Sequence, residues 1–88
     1  MAAVDPSQFS PLHKFFPELT ELQAVHTCML VFGHLSVAEL AELRDIAPNT
    51  VMESMSSAQK KLGVGSMKHL RITVTNRVLM HIALYIFK

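Results

Sequence analysis

Asn49, Glu53, Ser56 and Lys60 recur at spacings of three and four, with Met52 and Ser57 beside them. On a helix these positions share one face, and their amide, carboxylate, hydroxyl and ammonium groups are the kinds that contact base edges and phosphates. A short distance on, Lys60, Lys61, Lys68 and Arg71 flank a Gly63-Val64-Gly65-Ser66 break. Cations beside a helix start suit phosphate oxygens, because backbone N–H donors at that end add to the positive charge.

The charge distribution points the same way. All seven acidic residues lie in the first 53 positions, against only Lys14 and Arg44. The rest of the chain holds Lys60, Lys61, Lys68, Arg71, Arg77 and Lys88 and no acid, so the overall +1 conceals two halves of opposite sign. A basic block in a small domain is what phosphate neutralisation requires.

Enzyme chemistry has little support. His13, His26, His34, His69 and His81 are too scattered for a metal-ligand pattern, so they read as surface or half-buried side chains, and no metal or cofactor is expected. Cys28, the only cysteine, sits in an apolar stretch with no activating partner at a suitable spacing, and it excludes an internal disulfide. A reducing, cytoplasmic setting is the expectation. The uncharged run from Leu22 to Ala38 is interrupted by Gln23, His26, Thr27, Gly33, His34 and Ser36, so no membrane span is expected, and the start of the chain lacks the pattern of a secretory signal.

These side chains need helices to present them. Residues 1–18, with Pro6, Pro11 and Pro17, read as a tail or linker ahead of a domain over 19–88, although Phe9, Leu12, Phe15 and Phe16 could dock as an apolar strap. Thr20 and Gln23 have capping-box spacing ahead of a first helix that buries Leu22, Val25, Met29 and Phe32 and ends at Gly33. Ser36 and Glu39 repeat the signal for a second helix burying Val37, Leu40, Ala41 and Leu43. Pro48 suits the first position of a third helix, to Leu62, whose Val51, Met55, Ala58 and Leu62 face the core.

A fourth helix starts after Ser66. Met67, Leu70, Val74, Val78, Ile82 and Tyr85 or Ile86 form one apolar stripe, and Leu79, Ala83 and Phe87 a second, left over for a partner. The β-branched run Ile72-Thr73-Val74-Thr75 leaves a strand open there, with helix favoured because the longer period persists on both sides. Half of the residues are hydrophobic and the mean hydropathy is +0.30, apolar for 88 residues and consistent with a covered face.

Taken in order, Leu19-Thr20, Leu35-Ser36-x-x-Glu39-Leu40-Ala41, Pro48-x-Thr50-Val51 and Lys61-Leu62-Gly63-Val64 followed by Ser66 resemble the LuxR-type (GerE or NarL) helix-turn-helix domain of bacterial transcription regulators, over roughly residues 19 to 75. The resemblance implies an all-α, four-helix domain with its third helix in the major groove of double-stranded DNA and its fourth helix at a dimer contact; on this chain's long, apolar fourth helix the leftover stripe of Leu79, Ala83 and Phe87 is the separate candidate for a homodimer contact. Lys60, Lys61, Lys68 and Arg71, around the break, are the expected phosphate contacts, to which the resemblance adds Thr50, and Asn49, Met52, Glu53 and Ser56 on the outward face of the third helix are the base-facing candidates. A partner regulator or RNA polymerase is a further expectation.

Where the family often carries basic residues, this chain has Met52 and Ser56, and Glu53 places a carboxylate on the outward face. Those departures raise an alternative: a protein-interaction adaptor or antagonist that pairs with another regulator and does not read DNA.

Overall fold

The computed structural model describes residues 6–87, so residues 1–5 of the expected tail and Lys88 lie outside it. Two short 3₁₀ helices, Pro6–Gln8 and Ser10–Phe15, precede four α-helices: α1 (Glu21–Phe32), α2 (Val37–Arg44), α3 (Pro48–Leu62) and α4 (Met67–Ile86). Among the described residues there is no strand, and Ile72 to Thr75 lie within α4.

Local side chains set the helix starts. Thr20 Oγ1 accepts from the Gln23 N–H at 3.1 Å while Gln23 Oε1 accepts from the Thr20 N–H at 3.1 Å. Ser36 and Glu39 repeat the exchange at 3.1 and 2.9 Å, and the bonds to Ser36 hold the Glu39 carboxyl below its ordinary range. Each box satisfies donors that a helix start would leave open. Ser66 caps α4 by accepting from the His69 N–H at 3.2 Å.

The ends of α2 and α3 are the same motif. Asp45 (φ 55) and Gly63 (φ 71) adopt the left-handed conformation. The next residue's N–H then turns back onto the helix, from Ile46 to the Ala41 carbonyl and from Val64 to the Gln59 carbonyl, both at 2.9 Å. This double turn satisfies carbonyls that would otherwise be orphaned, and glycine is its usual pivot. At Asp45 an aspartate adopts that conformation instead.

Helix α1 is the centre of the fold. Every residue from Ala24 to Val31 is buried, because α3, the strap, α4 and α2 all pack around it. The expected burial of Leu22 does not hold: it is 53% exposed, two residues before the helix enters the core at Ala24, and Phe32 at the other end is half-buried. In α2, Leu40 and Ala41 are buried, Val37 is half-buried and Leu43 is exposed, since an eight-residue helix lying on one side of the core has a narrow inner face.

Residues 9–19 are a strap rather than a free tail. Phe16 and Leu19 belong to the same buried cluster as α1, α3 and α4, and Phe9, Leu12 and Phe15 pack against it. Charge holds what burial begins: the Arg77 guanidinium of α4 grips both carboxylate oxygens of Glu18, at 2.6 and 2.9 Å, and donates to the Phe15 carbonyl at 3.1 Å. The same guanidinium lies 5.2 Å from the centre of the Phe16 ring.

The expected core stripe of α4 is true only in its first part. Leu70, Val74 and Val78 are buried, whereas Ile82, Tyr85 and Ile86 are exposed. Beyond Val78 the helix has outrun the core beneath it, apart from the strap's Phe15, whose ring stacks on His81 at 4.8 Å.

Candidate nucleic-acid interface

One side of α3 anchors it and the other is open. Val51, Met55 and Ala58 are buried, and Leu62 is half-buried. Toward α1, Ser54 Oγ lies 3.3 Å from His26 Nδ1, and the Thr27 hydroxyl donates to Met55 Sδ at 4.0 Å. These contacts fix the rotation of α3, so its opposite face must point away from the core.

On that face Asn49, Met52, Glu53, Ser56, Ser57 and Lys60 line one shallow groove. The residues expected to face bases are thus brought together. None of the six makes a side-chain hydrogen bond or ion pair among the described residues, so their polar atoms are available to a ligand. Met52, 50% exposed, is an apolar side chain near the middle of the polar group.

The expected phosphate contacts fall into different situations. Lys60, at the groove, and Lys68 and Arg71, on the opening turns of α4, are exposed. Lys61 is exposed but engaged: its ammonium donates to Gln23 Oε1 at 2.8 Å, tying the end of α3 to the capping box of α1. Thr50 is exposed on the first turn of α3, outside the groove lining. Ser66 Oγ also lies 3.1 Å from His69 Nδ1, so the start of α4 carries a ring nitrogen beside its cap.

Arg77, counted with the basic half from sequence, is turned inward to Glu18. This pairing holds the Glu18 carboxyl below its ordinary range, chiefly through the guanidinium hydrogen bonds. A separation of 59 positions hides such a pair from any local pattern.

His26 departs most from expectation. It is only 1% exposed, its Nε2 has no hydrogen-bond partner among the described residues, and burial, aided by the Arg44 charge, lowers its pKa. Cys28 is buried too, and desolvation pushes its thiol up to about 12, so at neutral pH it is a protonated, unreactive core side chain. Among the described residues no group of three or more His, Cys, Asp or Glu could hold a metal ion. No helix there is long and apolar enough to cross a membrane.

The residues expected at a dimer contact do not form one even surface. Leu79 is 56% exposed, Ala83 is half-buried between larger neighbours, and Phe87, 84% exposed, follows the last helical residue. No family model, curated protein or solved structure matches the chain.

Proposed function

We propose that this chain is a DNA-binding transcription regulator, or the DNA-binding domain of one, built as a four-helix LuxR-type helix-turn-helix domain and acting as a homodimer. In this reading α3 enters the major groove, and Lys60, Lys61, Lys68 and Arg71 hold the phosphates on either side. The observation that carries it is the free outer face of α3, fixed from behind by Val51, Met55 and Ala58, with Lys60 in its groove and the exposed Lys61, Lys68 and Arg71 following it in the chain. Asn49 offers donor and acceptor atoms to an adenine edge, Ser56 a hydroxyl, and Glu53 an acceptor for cytosine N4. Met52 suits a thymine methyl group by the same apolar contact that other small apolar side chains make.

The test is binding to a library of genomic fragments, read across a salt series. About four phosphate contacts per copy give a log–log salt slope of roughly −7 for a dimer, and Lys60→Ala removes about one contact per copy. Enrichment of no fragment, or binding insensitive to salt, overturns the proposal.

The second reading, a protein-interaction adaptor or antagonist that does not read DNA, is favoured by the exposed Met52 and the Glu53 carboxylate on the same groove. Carboxylates repel phosphates, and an exposed thioether is well adapted to protein surfaces. Capture of a regulator or RNA polymerase subunit that is lost in Met52→Glu, with no DNA bound, distinguishes it.

A further inference from the structure

A second cleft, of about 460 Å³, is lined by Ser7, Ser10, Glu21, Leu22, Val25 and Arg44. It forms where the start of the chain's 3₁₀ segments, the first turns of α1 and the end of α2 meet, and no residue of α3 or α4 lines it. Its volume lies within the range of small-molecule sites.

Two opposite charges line this cleft without meeting. Neither Glu21 nor Arg44 forms an ion pair or a side-chain hydrogen bond among the described residues, with each other or with any third group. Arg77, by contrast, is saturated by Glu18 and the Phe15 carbonyl. Arg44 is half-buried, and its charge opposes protonation of the buried His26, so it has a neighbour that disfavours positive charge and no carboxylate to offset it. A guanidinium partly removed from water in this way attracts a carboxylate, which its planar fork can hold through two hydrogen bonds.

The rest of the lining is apolar or neutral. Leu22 and Val25, three positions apart, share one face of α1. Val25 is buried and Leu22 is 53% exposed, so the leucine that escapes the core stands as an apolar wall beside the two charges. The half-buried Ser10 adds a hydroxyl whose oxygen makes no hydrogen bond among the described residues.

We propose that this cleft binds a free α-amino acid with an apolar side chain, its carboxylate on Arg44, its ammonium on Glu21 and its side chain over Leu22 and Val25. Only a zwitterion answers both charges. A phosphate or a dicarboxylate brings a second negative group toward Glu21, a simple carboxylic acid leaves Glu21 unpaired, and an amine leaves Arg44 unpaired. The site goes beyond the proposed function: it shares no residue with the α3 groove and does not depend on DNA binding.

The test is a nuclear magnetic resonance titration of the folded chain with L-leucine and L-phenylalanine, without DNA. At least one of the two is expected to bind saturably with a Kd at or below about 1 mM, shifting the Leu22, Val25 and Arg44 amides. Arg44→Gln is expected to weaken this at least ~10-fold, and Glu21→Gln about 3-fold because that carboxylate is more exposed. Both residues lie outside the buried core, so an unchanged helical circular dichroism signal is expected and confirms that each variant is folded. Leucine amide, which lacks the carboxylate, should bind wild type no better than Arg44→Gln. 4-Methylpentanoate, which lacks the ammonium, should bind more weakly than leucine and should not lose affinity in Glu21→Gln. Absence of saturable shifts at ~10 mM of either amino acid overturns the proposal, as does a folded Arg44→Gln chain with wild-type affinity. Equal binding of leucine and 4-methylpentanoate overturns the zwitterion.

Discussion

Arg77 on α4 holds Glu18 through two parallel hydrogen bonds, at 2.6 and 2.9 Å, and so closes the strap over the end of the bundle. With its added bond to the Phe15 carbonyl and its position over the Phe16 ring, one guanidinium ties three residues of the strap to α4. Arginine suits this place because its planar fork matches a carboxylate and its flat surface packs on a ring.

Arg77→Ala is therefore expected to lower stability by about 1–2 kcal/mol in chemical denaturation, through loss of charge-assisted bonds and of the ring contact. Arg77→Lys should recover less than half, because an ammonium cannot make the paired contact. Glu18 is partly solvated, so Glu18→Gln should cost less than ~1 kcal/mol. Its contribution is present above the ordinary carboxylate range and disappears as pH falls through the lowered native pKa. Stability equal to wild type in Arg77→Ala would show that the clamp is idle.

His26 predicts a separate response at higher pH. It is buried between α1 and α3, facing Ser54 on α3 and the Arg44 charge on α2, with Nε2 unpartnered among the described residues. Its native pKa is depressed, so as pH falls below about 6.5 the unfolded chain takes up a proton that the native protein refuses. Stability then decreases by at most about 1.4 kcal/mol per pH unit until the native pKa is reached. In thermal melts between pH 7.5 and 5.0, His26→Gln should show a shallower decline than wild type. Equal slopes would mean that His26 does not govern acid sensitivity.

The twin helix ends make opposite predictions for their pivots. Asp45, at φ 55, is an L-residue in a conformation that glycine adopts freely, so Asp45→Gly should stabilise by up to about 1 kcal/mol. Gly63→Ala should destabilise by about 1 kcal/mol although a methyl group there meets no atom within 4 Å, because the strain lies in the backbone at φ 71. Paired urea melts of the two variants decide this. A destabilised Asp45→Gly would assign the aspartate side chain a role beyond tolerating its φ.

Much of the helical framework was legible residue by residue. Thr20 with Gln23, Ser36 with Glu39, Pro48, Gly63 and Ser66 mark starts and stops through bonds spanning a few positions, and the helices form between them. The outward group on α3 was equally legible, since a helix whose Val51, Met55 and Ala58 are buried must present Asn49, Glu53 and Ser56 on the other side. Lys61 was harder, because its partner Gln23 lies 38 positions away and capping already accounts for that glutamine.

By itself the sequence determined where helices begin and end and which side chains share a face, because capping bonds and the 3.6-residue period act within a turn or two. Only the tertiary structure decided which apolar residues find cover. Leu22 is left exposed while Phe16, which the sequence left between a tail and an apolar strap, is fully buried; Arg77 turns inward to Glu18; His26 is sealed between helices; and α4 runs past the core after Val78. The physical reason is that burial depends on what distant segments bring to the same place. A helix carries its own hydrogen bonds, but its neighbours must supply the surface that excludes water from it.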